Sequence, residues 1–197
     1  MTYTDNGLNA MSKAFHNIIR DRITRSKYKY KERPILVNNW EATYFDFDED
    51  KLKPIVDEAK ELGIEMFVLD DGWFGHRDDD NSSLGDWNVY EKKFPQGLKH
   101  FADYVHSKDL KFGIWFEPEM ISMDSELYRS HPEYLMQVPG RQPSPSRNQY
   151  ILDMTRKDVR DDIVDQVSTI IADNDIDYVK WDMNRNLSGI YAQNLPP

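Results

Sequence analysis

Met66-Phe67-Val68-Leu69-Asp70-Asp71-Gly72-Trp73 is the stretch on which the fold turns. Its apolar run is too short for a typical helix and suits a strand buried on both faces. The run stops on two carboxylates, a glycine and a tryptophan. The same plan recurs along the chain. Ile35-Leu36-Val37 ends in Asn38-Asn39-Trp40, Phe112 to Phe116 ends in Glu117-Pro118-Glu119, and Tyr178 to Trp181 ends in Asp182. Between these runs, residues 49–62, 97–108 and 157–172 have helical spacing, and Gly63 supplies a stop for the first of them. Strands alternating with helices predict parallel βαβ units. Tyr150-Ile151-Leu152 is a weaker candidate for an extra strand, and no constant period separates the units.

Each apolar run therefore carries ligand-binding types of residue at its C-terminal edge. In a TIM-type (β/α) barrel the active site forms at that edge. An open doubly wound sheet uses the same edge, so position alone does not separate the two. The first βα turn lacks the glycine pattern that holds a nucleotide phosphate, which removes the best evidence for a nucleotide-binding doubly wound fold. Upstream, Leu8, Met11, Phe15, Ile18, Ile19 and Ile23 predict an amphipathic helix over 8–25, followed by a basic, tyrosine-containing connector from Lys27 to Arg33. The expected division is a helix and connector over 1–33 and a (β/α) region over 34–197.

The chain has 197 residues, with 35 Asp and Glu against 25 Lys and Arg, a net charge of −10. That balance repels phosphate backbones and anionic membrane surfaces, so nucleic acid and membrane are not expected partners. No run approaches the roughly 18 apolar residues of a membrane span. Positions 1–20 lack a secretory signal pattern, and cysteine is absent, so a cytoplasmic location is expected. The sequons at Asn81 and Asn186 are read as chance matches. No cofactor is expected, and no metal site: the histidines are scattered, and Asp78-Asp79-Asp80-Asn81 lacks the glycine and distal glutamate of a calcium loop.

Alternation along Tyr178-Val179-Lys180-Trp181-Asp182 puts Tyr178, Lys180 and Asp182 on one face. An ammonium beside Asp182 would keep the carboxylate ionised, the state that glycoside chemistry requires of a nucleophile; a plain salt bridge at a strand end is the alternative. Asp70 and Asp71 can splay to either side of their strand and accept from hydroxyls, while Gly72 lets the backbone come close to a ligand. Five tryptophans, Trp40, Trp73, Trp87, Trp115 and Trp181, lie near strand ends or the loops after them. Interleaved with acids they suggest a carbohydrate pocket. Trp115 and Glu117 share a face, although Glu117-Pro118-Glu119 reads first as a bend at the strand end.

These motifs resemble those of glycoside hydrolase family 36, the α-galactosidases or melibiases. The resemblance rests on Asn38 to Thr43, Asp70 to Phe74, Gly113 to Glu119 and Lys180 to Asn184 in that order, and runs from about Gly7 to Pro197. It implies an α-galactoside such as melibiose or raffinose as substrate, with Asp182 as the nucleophile of a retaining mechanism. It implies Asp70 and Asp71 as ligands of galactose O4 and O6, Trp40 and Trp115 as pocket walls, and Arg147, Lys180 and Asn184 as further ligands. In the family the acid/base aspartate lies in the second half of the barrel, and the complete enzyme is expected to be a homo-oligomer. The chain is thus expected to form the first half, about four βα units, of an incomplete eight-stranded barrel, inactive or weakly active, and self-associated if it folds alone. A galactosyl transglycosylase, an α-N-acetylgalactosaminidase and a non-catalytic galactose-binding module are the alternatives.

Overall fold

The computed structural model describes residues 3–25, 27–192 and 195. The chain forms two compact units, Met1–Ile35 and Leu36–Pro197. In the first, α1 (Gly7–Ile18) gives way to a π-helical turn at Ile19–Ile23, and a 3₁₀ turn follows at Lys27–Lys29. The expected single helix is therefore interrupted. The apolar periodicity continues unbroken through Ile19 and Ile23, so it carries no sign of the change. Leu8, Phe15, Ile18, Ile19 and Ile23 are all exposed.

The second unit is an α/β layer structure. Its strands β1 (Leu36–Asn38), β2 (Met66–Leu69), β3 (Lys111–Phe116) and β6 (Tyr178–Trp181) form one sheet in the order β1-β2-β3-β6, every pair parallel. This is the strand order of successive units of a (β/α) barrel. The crossovers contain α3 (Glu49–Glu61), α4 (Leu98–Ser107) and α6 (Lys157–Asp173). α3 has a reason to start and to stop, and all three helices bury an apolar stripe. Asp48 caps α3 by accepting from the Lys51 amide at 2.9 Å, which satisfies an otherwise orphaned donor. Gly63, with φ of 78°, ends it in the left-handed conformation. Leu52, Val56 and Ala59 on α3, Leu98, Phe101, Ala102 and Val105 on α4, and Val159, Ile163, Val167 and Ile170 on α6 are the buried stripes. Fully burying one Leu, Val, Ile or Phe is worth about 1.5–3 kcal/mol. No helix among the described residues is long and apolar enough to cross a membrane.

Tyr150–Ile151 is a strand (β5), but it stands outside the parallel sheet and pairs antiparallel with β4 (Met120–Ile121). Between them lie α5 (Glu126–Ser130) and a long loop. The start of α5 is held from a distance, since Asp86 accepts from the Glu126 and Leu127 amides, each at 2.9 Å.

Register fixes which side chains share the inner face. Val68 of β2, Gly113 of β3 and Tyr178 of β6 are aligned across the sheet. A Cβ on Gly113 would lie 2.9 Å from Tyr178 and 3.0 Å from Val68, so this layer has room only for glycine at its centre. Stepping two residues along each strand brings Asp70, Trp115 and Lys180 to the same face, and Glu117 and Asp182 one step further. The opposite face packs on helices, as the edge-to-face contact of Phe101 with Phe67 and with Phe112 illustrates.

Candidate active site

The site lies at the C-terminal edge of the sheet. Asp182 continues β6, its amide donating to the Phe116 carbonyl at 2.8 Å. Its carboxylate is held by neutral donors. Oδ2 accepts from the Trp115 indole Nε1 at 2.9 Å and from Asn184 Nδ2 at 2.8 Å, and Oδ1 accepts from the Met183 amide at 2.9 Å. Partial burial works against ionisation here. The Trp115, Asn184 and Met183 donors and the charge of Lys180 outweigh it, and hold the carboxyl below the ordinary aspartate range.

The direct partner of Lys180 is not its strand neighbour Asp182, as the sequence suggests, but Asp70, whose Oδ2 accepts at 2.7 Å. Asp70 is buried, and its amide donates to Asn39 Oδ1 at 2.9 Å, tying the end of β2 to that of β1. Asp71 turns the other way. Its oxygens accept from Arg77 Nε at 2.5 Å and Nη2 at 2.8 Å, a two-pronged pair in which Arg77 is only 1% exposed. Arg77 Nη1 donates to the Ser82 carbonyl at 2.6 Å. Burial pushes the Asp71 carboxyl up, and the guanidinium opposes that push. Gly72 completes the turn with φ of 104°, and a Cβ there would sit 3.1 Å from Phe45 and 3.2 Å from Phe47. Lys93, also buried, donates to the carbonyls of Phe45 (2.9 Å), Gly72 (2.9 Å) and Arg77 (3.1 Å), fastening the whole turn.

Trp40 opens the short helix α2 (Trp40–Thr43) directly after β1 and is half-buried, edge-on to Tyr44 and Phe45. Trp115, expected as a pocket wall, is buried. It is 1% exposed, stacked on Phe74 and packed beside Trp87. The β2–α4 loop folds these rings over it, so what Trp115 offers the site is its indole N–H. Trp73 and Trp87 are core residues of the same cluster. Trp181 lies on the other face, exposed, with its Nε1 on Glu119 at 2.9 Å.

Arg147 reaches the site from the loop before β5. It and Asn148, with φ of 49° and 58°, form a two-residue turn closed by mutual Ser146 and Gln149 backbone bonds. Left-handed φ at two non-glycine residues is costly. Buried Arg185 braces the loop by donating to the Ser144 and Gln149 carbonyls at 3.0 and 2.7 Å. Arg147 Nη1 donates to Asn184 Oδ1 at 2.7 Å. Asn184 shares its Nδ2 between Asp182 and Glu117 Oε2, the latter at 3.1 Å.

The expected residues thus fall into two hydrogen-bonded groups, Asp70 with Lys180, and Trp115, Asn184 and Arg147 with Asp182, while Asp71 is turned to Arg77 and Trp40 follows β1. Sequence reasoning missed Arg77, Asn39, Gln149 and the burial of Glu117. Only the shared strand face of Trp115 and Glu117 hinted at the last. Among the described residues, no group of three or more His, Asp or Glu could hold a metal ion.

The family model for melibiase matches residues 1–197. The chain is 71% identical over 197 residues to α-galactosidase 1 of Pediococcus pentosaceus and 53% identical over 197 residues to α-galactosidase AgaA of Geobacillus stearothermophilus. It covers all of itself and 27% of each relative, so it spans about a quarter of their length. A crystal structure of an AgaA variant in complex with raffinose superposes with a TM-score of 0.94 at 52% identity, over 100% of this chain and 27% of that one. A family 36 variant of the same enzyme in complex with stachyose gives the same score, identity and coverage. By sequence and by fold, the chain belongs to the melibiase family.

Proposed function

We propose that this chain carries the nucleophile and galactose-binding side of a retaining α-galactosidase site, acting on terminal α-galactosyl groups of melibiose- and raffinose-type sugars. The observation that carries this is the Asp182 carboxylate. It is kept ionised by the Trp115 and Asn184 donors on Oδ2, the Met183 amide on Oδ1 and the charge of Lys180. Oδ1, with the fewer contacts, is the oxygen that approaches a sugar on the face shared with Asp70 and Lys180. In this reading Oδ1 attacks the anomeric carbon, the C1–O(Asp) bond forms, and the leaving group departs with the electron pair of the bond it breaks. Water then releases galactose from the glycosyl–enzyme. Asp70 and Asp71 accept hydrogen bonds from the galactose 4- and 6-hydroxyls, each carboxylate paired with its own cation, Lys180 and Arg77. Lys180 donates from beside Asp70, Arg147 and Asn184 line the opposite rim, and the Trp40 ring offers its apolar surface to the sugar. The raffinose and stachyose held by the Geobacillus enzymes are the substrates this arrangement suits. The acid/base carboxyl that a retaining mechanism also needs is assigned to none of these residues.

The test is intact-protein mass spectrometry after incubation with an activated fluorinated α-galactosyl donor, whose leaving group departs without protonation. One galactosyl adduct, abolished by Asp182→Ala, is expected. A folded chain that never labels overturns the catalytic reading. Galactose binding without labelling would replace it with a binding module.

A further inference from the structure

We propose that Glu117 is a positioning residue that acts through Asn184 to fix which oxygen of Asp182 faces the sugar; this rests on the reading of Asp182 as the nucleophile. Glu117 is fully buried, and a buried carboxylate persists only where donors surround it. Three converge on it. Oε1 accepts from the Asn184 amide at 2.5 Å, and Oε2 accepts from Gln149 Nε2 at 3.0 Å and Asn184 Nδ2 at 3.1 Å. All three are N–H groups, so the pocket suits a group that only accepts, which is an ionised carboxylate.

Two of the three donors belong to one residue. Glu117 grips Asn184 by main chain and side chain together. That grip orients the remaining Nδ2 hydrogen toward Asp182 Oδ2, while Arg147 holds the amide oxygen and so excludes the flipped amide. Trp115 supplies the second donor to the same oxygen. Oδ2 is thereby the anchored oxygen and Oδ1 the attacking one. Without Glu117, nothing in this arrangement fixes the backbone at residue 184, and the amide loses one of its three contacts. A residue that merely bends the strand end would tolerate an isosteric glutamine. A residue that must accept three N–H bonds would not, because the amide of Gln points two hydrogens at donors.

The experiment is a double-mutant cycle on the rate of galactosyl adduct formation, with Glu117→Gln, Asn184→Ala and both together. Misplacing a reacting group by about 1 Å costs on the order of 100-fold, so each single variant should label about 10- to 100-fold more slowly. The double variant should be no slower than the slower single, because the two residues act as one unit. Wild-type labelling by Glu117→Gln, or a double variant whose loss is the product of the two singles, overturns the proposal. If Glu117→Gln fails to fold by circular dichroism, Glu117→Asp takes its place in the cycle, with the same expectation. If the folded wild-type chain does not label at all, the catalytic reading fails and the positioning contact is decided separately by NMR. The Asn184 side-chain amide protons, assigned by their loss in Asn184→Ala, should exchange slowly in the wild type. In the Glu117 variant they should move upfield and exchange faster; unchanged signals overturn the contact.

Discussion

The two acids at the end of β2 and the two at the ends of β3 and β6 share one edge of the sheet but are held in opposite ways. Asp70 and Asp71 are each bonded to a full positive charge, Lys180 and Arg77. Asp182 and Glu117 are bonded by an indole, amide side chains and backbone N–H groups. A carboxylate that binds hydroxyls loses little by having a counter-charge, because it still has lone pairs to accept. A carboxylate that must form a bond to carbon would be held back by a cation on its attacking oxygen. Neutral donors on the other oxygen keep it charged without that penalty. In the proposed reading, the difference marks off hydroxyl recognition at Asp70 and Asp71 from nucleophilic attack at Asp182.

The sharpest break of this contrast is at Arg77. Arg77→Met leaves Asp71 buried and uncompensated, and removing one partner of such a pair costs about 3–5 kcal/mol. Urea unfolding should show a loss of that size, with galactose affinity falling alongside. Arg77→Lys should recover only part of it, since an ammonium cannot reproduce the two-pronged contact. A loss below about 1 kcal/mol in Arg77→Met would mean that Asp71 does not depend on the pair. A smaller effect is expected at Lys180, whose side chain is 34% exposed against 4% for Asp70. Lys180→Met should weaken galactose binding about tenfold, equivalent to about 1.4 kcal/mol, and shift stability by less than about 1 kcal/mol. Titration calorimetry and urea unfolding separate the two quantities. A stability loss as large as that of Arg77→Met would erase the distinction between a pair built for folding and a pair built for the ligand.

The strands were legible because each short apolar run stops on polar or aromatic residues, and the placing of Asp70, Asp71 and Asp182 at one edge was legible because the C-terminal ends of parallel strands lie together. Partner choice was not. Lys180 sits two residues from Asp182, ~6.6 Å along a strand at ~3.3 Å per residue. Its bonded partner is on β2, two strands away in an order that only the sheet reveals. Arg77 lies in a polar loop with nothing local to mark it as buried. Trp115 reads as a pocket wall until Phe74 and Trp87 are seen closing over it. Glu117 reads as part of a Pro-containing bend, because its donors come from residues 149 and 184.

The finest test of the contrast is the pH dependence of stability at Glu117. Burial, aided by the charge of nearby Asp182 and opposed by the Asn184 and Gln149 donors, pushes its carboxyl above the ordinary value of 4.5. A folded-state pKa above the unfolded one means the native chain holds this proton more tightly. The resulting stability is fully present below 4.5 and is lost as pH rises through the folded value. Glutamine has no such proton. The stability of the wild type relative to Glu117→Gln should therefore fall as pH rises from 4.5 and then level off, while the other titrating groups cancel in the difference. Labelling at Asp182 should run the other way over the same window, because a proton on Glu117 displaces a donor that holds Asn184. Urea unfolding and adduct rates measured on both proteins across that window give the two curves. A relative stability independent of pH would mean that the Asn184 and Gln149 donors offset the burial of Glu117 in full, and would overturn the upward shift.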